Sequence, residues 1–92
     1  MKTMNYSYLP TLDLHGEVGS RALLLVNDFL LEQYMLGKTK VIIIHGIGSG
    51  TLRKVVHDVL LTNKLVLSYK LDMYNLGMTV VELCKNNTVN IK

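Results

Sequence analysis

Apolar and polar positions along the chain switch between a period of two and a period near 3.6, and each switch marks an element. Leu12 to His15 alternates apolar with polar and is closed by Gly16, the pattern of a short strand. From about Gly19 to Leu36 the residues are helix formers without proline, and Gly37 supplies the stop. Ser20 stands where a cap is wanted, with no Glu or Gln three residues later to complete a capping box. Turned at about 100° per residue, this helix gathers Ala22, Leu23, Leu25, Val26, Phe29, Leu30 and Tyr34 onto one broad face predicted for the core. Leu24, Leu31 and Met35 fall on nearly the opposite side. Cover by the N-terminal arm or crowded packing would explain this second stripe, and so would a surface for a homodimer or another partner.

Val41 to Ile44 is an unbroken β-branched run, as expected of an interior strand parallel to the first. A second helix comes next, from Thr51 or Leu52 to Thr62, with Leu52, Val55, Val56, Val59 and Leu60 on its apolar face and Arg53, Lys54, His57 and Asp58 outside. Val66 to Met73 alternates again, with Leu67, Tyr69, Leu71 and Met73 on one side and Ser68, Lys70 and Asp72 on the other. Asn75-Leu76-Gly77 is turn chemistry, and Met78 to Cys84 reads as a last, antiparallel strand. The predicted order is β-α-β-α-β-β: an α/β two-layer sandwich with a mixed four-stranded sheet. The expected organisation is an N-terminal arm over 1–10, one domain over 11–85, and a polar tail over 86–92 that frays.

Ninety-two residues leave room for one such domain. The chain is 49% hydrophobic and 18% charged, which excludes a disordered segment, and its single cysteine excludes an internal disulfide framework. No apolar run approaches a membrane span and no signal segment opens the chain, so a soluble cytoplasmic protein is expected. The net charge of +3 permits a nucleic-acid partner without demanding one.

Two parallel strands joined through a helix end on the same edge of their sheet. Asp13 and His15 close the first and His45 the second, so residues far apart in sequence are expected to meet at the edge where open α/β sheets place ligands. After His45 comes Gly46-Ile47-Gly48-Ser49-Gly50, leading into a helix. Alternating glycines let backbone N–H groups close around an anion, and the helix N-terminus adds its dipole. Arg53 in the first turn offers a forked contact to a phosphate. The Lys-Ser/Thr of a Walker A loop and the glycine spacing of a dinucleotide fingerprint are both absent, and a purely structural turn is the competing reading.

Leu12-Asp13-Leu14-His15-Gly16, then His45 to Gly50 with Leu52-Arg53, then Gly77-Met78-Thr79-Val80-Val81-Glu82-Leu83 together resemble the Smr (small MutS-related) domain, over about Leu12 to Leu83. The resemblance implies a two-layer β-α-β-α-β-β fold like the C-terminal domain of translation initiation factor three. It also implies nucleic-acid binding, with endonuclease activity on DNA or RNA in some members. On this resemblance Asp13, His15 and His45 are the candidate catalytic residues. Gly46, Gly48, Ser49, Gly50, Arg53 and Lys54 are the candidate phosphate-binding ones. Family members often carry Lys between the first two loop glycines, where this chain has Ile47, and an acidic residue where Arg21 stands.

His15 suits general acid–base work because its ordinary pKa lies near neutrality. Asp13 would orient an imidazole or bind a divalent cation, magnesium or manganese. His45 would act in catalysis or lock the loop through a hydrogen bond. His57, on the outer helical face, is expected to be solvated, and Cys84 to be a half-buried strand thiol. The histidines and the cysteine lack metal-ligand spacing, so no structural zinc site is expected. Arg53 and Lys54 fall near the candidate site, whereas Lys38, Lys40 and Lys64 map to the opposite edge. The leading expectation is an endonuclease nicking or cleaving DNA or RNA. A nucleic-acid or ribosome-binding module without catalysis, or a small-anion or nucleotide binder, are the alternatives.

Overall fold

A computed structural model describes residues 8–87. The elements run β1 (Thr11–Asp13), α1 (Gly19–Met35), β2 (Lys40–Ile44), α2 (Thr51–Thr62), β3 (Val66–Leu71) and β4 (Met78–Leu83). The sheet is mixed, ordered β1-β2-β4-β3, with β1 parallel to β2 and the other pairs antiparallel. The β-branched run of β2 takes an interior place, where both faces are shielded: Val41 and Ile43 face the core and Ile42 is buried on the other side. Both helices cover one face, and Ala22, Val26 and Leu30 of α1 meet Val56, Val59 and Leu60 of α2 over Val41, Ile43, Val81 and Leu83. This is the α/β two-layer architecture expected from the hydrophobic pattern.

Three details of the pattern differ. On α1 the buried row is Ala22, Val26, Leu30 and Gln33, while Leu23 lies exposed beyond its edge. The helix is entered from Val18 rather than capped by Ser20, and Arg21 forms an ion pair with Glu17 at 3.2 Å across its first turn. On β3 the register shifts between Val66 and Ser68, so Leu67 is an extra residue turned to solvent while Val66, Tyr69 and Leu71 face inward. The strand then ends at Leu71. Beyond it the Asp72 carboxylate accepts the Tyr74 N–H at 3.1 Å, which buries Asp72 and leaves Met73 exposed, the reverse of strict alternation.

Leu24, Leu31 and Met35 are exposed, so crowded packing among the described residues does not explain them. Most of the N-terminal arm lies outside the described residues, as does the tail from 88 onward. At the start of that tail Asn86 is buried and donates to the Tyr34 carbonyl at 3.0 Å, so the chain is still held there.

Candidate functional site

β1 and β2 run in register with Asp13 opposite Ile44, so the segments beyond the two strands leave the sheet at one edge. Those segments touch there: a Cβ built on Gly46 would lie 3.6 Å from that of His15. Residues 15–19 and 45–53 border an open cleft of about 540 Å³. His15, His45, Gly46, Gly48, Ser49, Gly50 and Arg53 all line it. Asp13 stands behind His15 rather than in the lining. Lys54 also lies outside, exposed and paired with Asp58 at 3.1 Å.

Asp13 acts on His15 twice. Its Oδ1 accepts the His15 backbone N–H at 3.0 Å and faces the His15 Nδ1 at 3.3 Å. The backbone N–H, more than the imidazole, holds the Asp13 carboxyl below its ordinary 3.8. A carboxylate only accepts, so in the neutral ring the facing Nδ1 carries the proton and Nε2 keeps a lone pair.

The loop is shaped by left-handed backbone at Gly46 (φ 80°) and Gly50 (φ 88°), a region that side chains disfavour. Gly50 is the residue that enters α2, and no side chain caps that end. The first helical bond runs from the Lys54 N–H to the Gly50 carbonyl at 3.0 Å, so the amides just before Lys54 lack carbonyl partners within the helix. Ser49 braces the entry, its Oγ 2.9 Å from the Thr51 hydroxyl and 3.4 Å from the Thr51 amide. Arg53 folds back over the loop, with its Nη2 3.5 Å from where a Gly50 Cβ would be. N–H groups, a helix N-terminus and a guanidinium converge on one cleft, an arrangement whose chemistry suits an oxyanion.

His45 is buried, 3% exposed, and both of its ring nitrogens are used within the protein. Nδ1 lies 3.0 Å from the Gly46 carbonyl and Nε2 lies 2.8 Å from the Thr79 hydroxyl. His57 brings its own Nε2 to within 2.8 Å of the same hydroxyl. The chain has one direction. A carbonyl can only accept, so neutral His45 is protonated on Nδ1 and its Nε2 accepts from Thr79. The single Thr79 proton is then committed, so His57 must donate its Nε2–H to Thr79. Burial lowers the pKa of His45 and of His57 below the ordinary 6.5, and mutual repulsion with His45 adds to the effect on His57.

The outward placement expected for His57 is therefore corrected: α2 packs it against Thr79 and against the Tyr69 ring, with centroids 5.0 Å apart. Neither Thr79 nor His57 was a candidate from sequence. One signal existed, since alternation in β4 puts Thr79 in the same inward row as Val81 and Leu83, and a hydroxyl in such a row needs a partner. Among the described residues no group of three or more His, Cys, Asp or Glu could hold a metal ion.

A family model described as the Smr domain matches residues 12–84. The chain belongs to the Smr domain family. Its fold is similar to the crystal structure of the Smr domain of Thermus thermophilus MutS2, with a TM-score of 0.80 and 33% identity, covering 83% of this chain and 99% of that one. It is also similar to YdaL, a stand-alone small MutS-related protein from Escherichia coli, with a TM-score of 0.78 and 24% identity over 82% of this chain and 64% of that one. Among curated proteins, this Smr domain is 42% identical over 77 residues to endonuclease MutS2 of Pelotomaculum thermopropionicum, and 40% identical over 76 residues to that of Clostridium botulinum. It covers 80% and 79% of its own length in these matches but spans only a tenth of either relative. No helix among the described residues is long and apolar enough to cross a membrane.

Proposed function

We propose that this Smr domain holds a backbone phosphate of DNA or RNA in the cleft and cleaves or nicks the adjoining phosphodiester bond. The observation that carries the reading is the meeting of His15 with the glycine loop and the α2 N-terminus along one cleft. The α2 amides and Arg53 bind phosphate oxygens and stabilise charge as it builds on them. His15 Nε2 takes the proton of an attacking water as its oxygen bonds to phosphorus, the bond to the leaving oxygen breaks, and that oxygen takes a proton from solvent. Asp13 holds the imidazole in the tautomer this requires. His45 keeps the loop in shape through the Gly46 carbonyl instead of moving a proton at the substrate. Magnesium or manganese is a variable of the assay, with Glu17 in the lining of the cleft and Asp13 behind His15 as the carboxylates beside it. The cytoplasm suits both such a substrate and the unpaired Cys84.

Supercoiled plasmid and structured RNA, each with and without magnesium or manganese, test the assignment. We expect cleavage by the wild type and a loss of about 100-fold or more in His15→Ala, with Asp13→Ala also impaired. Equal cleavage by wild type and variants would defeat it. Ile47, which puts an apolar side chain where family members often carry Lys, favours the second reading, a binding module that does not cut. Binding lost in Arg53→Ala with no product from the wild type would select that reading. The exposed Leu24, Leu31 and Met35 support a separate surface for pairing two copies, which light scattering at high concentration tests.

A further inference from the structure

The β3–β4 turn is joined to the phosphate-binding loop. The Gly77 carbonyl accepts the N–H groups of both His45 and Gly46 at 2.9 Å. A Cβ on Gly77 would lie 3.3 Å from the Gly46 backbone, so the two segments are in van der Waals contact. The turn is also braced from within. Asp72 accepts the Tyr74 N–H at 3.1 Å, Asn75 Oδ1 accepts the Gly77 N–H at 3.0 Å, and the Asn75 carbonyl accepts the Met78 N–H at 3.1 Å. Its polar side chains are thus spent on its own backbone while its apolar ones face water. Tyr74 is 88% exposed and Met73 77%, and Ile47 on the neighbouring loop is 69% exposed.

The cations at this edge are few. Arg53 reaches the cleft and Lys70 stands exposed near the end of β3, opposite Val80, whereas Lys54 is tied to Asp58 and Arg21 to Glu17. Binding to a duplex draws mainly on many phosphate contacts. A strand with unpaired bases needs fewer, because each base offers a face to an aromatic ring. We propose that Tyr74 stacks on an unpaired nucleobase next to the phosphate held in the cleft, so that the ligand of this domain is single-stranded or looped nucleic acid. This rests on the phosphate-binding reading of the cleft and extends it along the edge.

Fluorescence anisotropy with labelled single-stranded DNA, single-stranded RNA, and duplexes of the same sequence tests it on the full chain. Single strands of one or both kinds should bind more tightly than duplex. Tyr74→Leu keeps an apolar side chain but removes the ring, and should weaken single-strand binding by about tenfold. Tyr74→Phe should stay within about twofold. A strand with one abasic site at the stacking position should lose as much affinity on the wild type and no more on Tyr74→Leu. Duplex binding as tight as single-strand binding overturns the proposal. So does unchanged affinity in Tyr74→Leu, including the case where that variant only lowers self-association. If Arg53→Ala abolishes binding while Tyr74→Leu leaves it intact, the stacking inference fails and the phosphate site stands. If the wild type binds no oligonucleotide, the functional reading fails first.

Discussion

Thr79→Val removes one oxygen from the centre of the His45–Thr79–His57 chain and changes little else. Thr79 is 0% exposed, and valine has nearly the same shape, so no cavity opens. The buried Nε2 of His45 loses its donor from 2.8 Å, at a cost of about 1–3 kcal/mol for an unsatisfied buried group. The His57 N–H loses its acceptor too, but that residue is only partly buried and can recruit water. Burying a methyl in place of the hydroxyl returns less than about 1 kcal/mol. The net expectation is a loss of about 1–2 kcal/mol, or about 4–16 °C in Tm for a domain of this size. Thr79→Ser keeps the hydroxyl and loses a buried methyl, at about 1 kcal/mol. Strand propensity and apolar burial alone predict the opposite order, with valine the more stable. Urea unfolding at pH 7.5 decides between them. Thr79→Val at wild-type stability, with Thr79→Ser the weaker variant, would refute the hydrogen-bonded chain.

Because both His45 and His57 have lowered native pKa values, the unfolded chain takes up their protons first. Their contribution to stability should be complete above about pH 6.5 and lost as pH falls from there through the native values, and a flat urea midpoint from pH 8 to 5 would contradict this. Gly77→Ala forces a Cβ to 3.2–3.3 Å from Asn75 Oδ1 and the Gly46 backbone, so it should cost about 1–3 kcal/mol and weaken oligonucleotide binding by prising turn from loop. Gly50→Ala places a side chain at φ 88° and should cost about 1–2 kcal/mol by thermal unfolding. Affinity should fall only shallowly with salt, with a log–log slope no steeper than about −3, since Lys38, Lys40 and Lys64 sit at or before the starts of β2 and β3, at the far edge of the sheet. A slope matching six or more phosphate contacts would contradict that placement.

The site was half legible. The spacing of Asp13-x-His15, the carboxyl-edge rule and the glycine loop located the cleft, because parallel neighbouring strands leave no other place for the residues beyond their ends. The division of labour inside it was not legible. That His45 would have both nitrogens occupied depends on Thr79, 34 residues away in the chain, and the same hydroxyl holds His57, which α2 turns inward. Lys54, beside Arg53 in sequence, points to Asp58 because successive helical residues are about 100° apart.

Local periodicity alone determined the element order, the two-layer class and most of the core, since burial of one apolar face per element has few solutions. It failed where a polar group found a partner through space. The bulge that turned Leu67 outward comes from the pairing register with β4, and the burial of Asp72 from its hold on the Tyr74 amide. A sequence records which side chains can donate or accept. Only the packed fold decides which of them meet, because a hydrogen bond is satisfied within about 3 Å and in one direction, whereas hydrophobic burial asks only for a face.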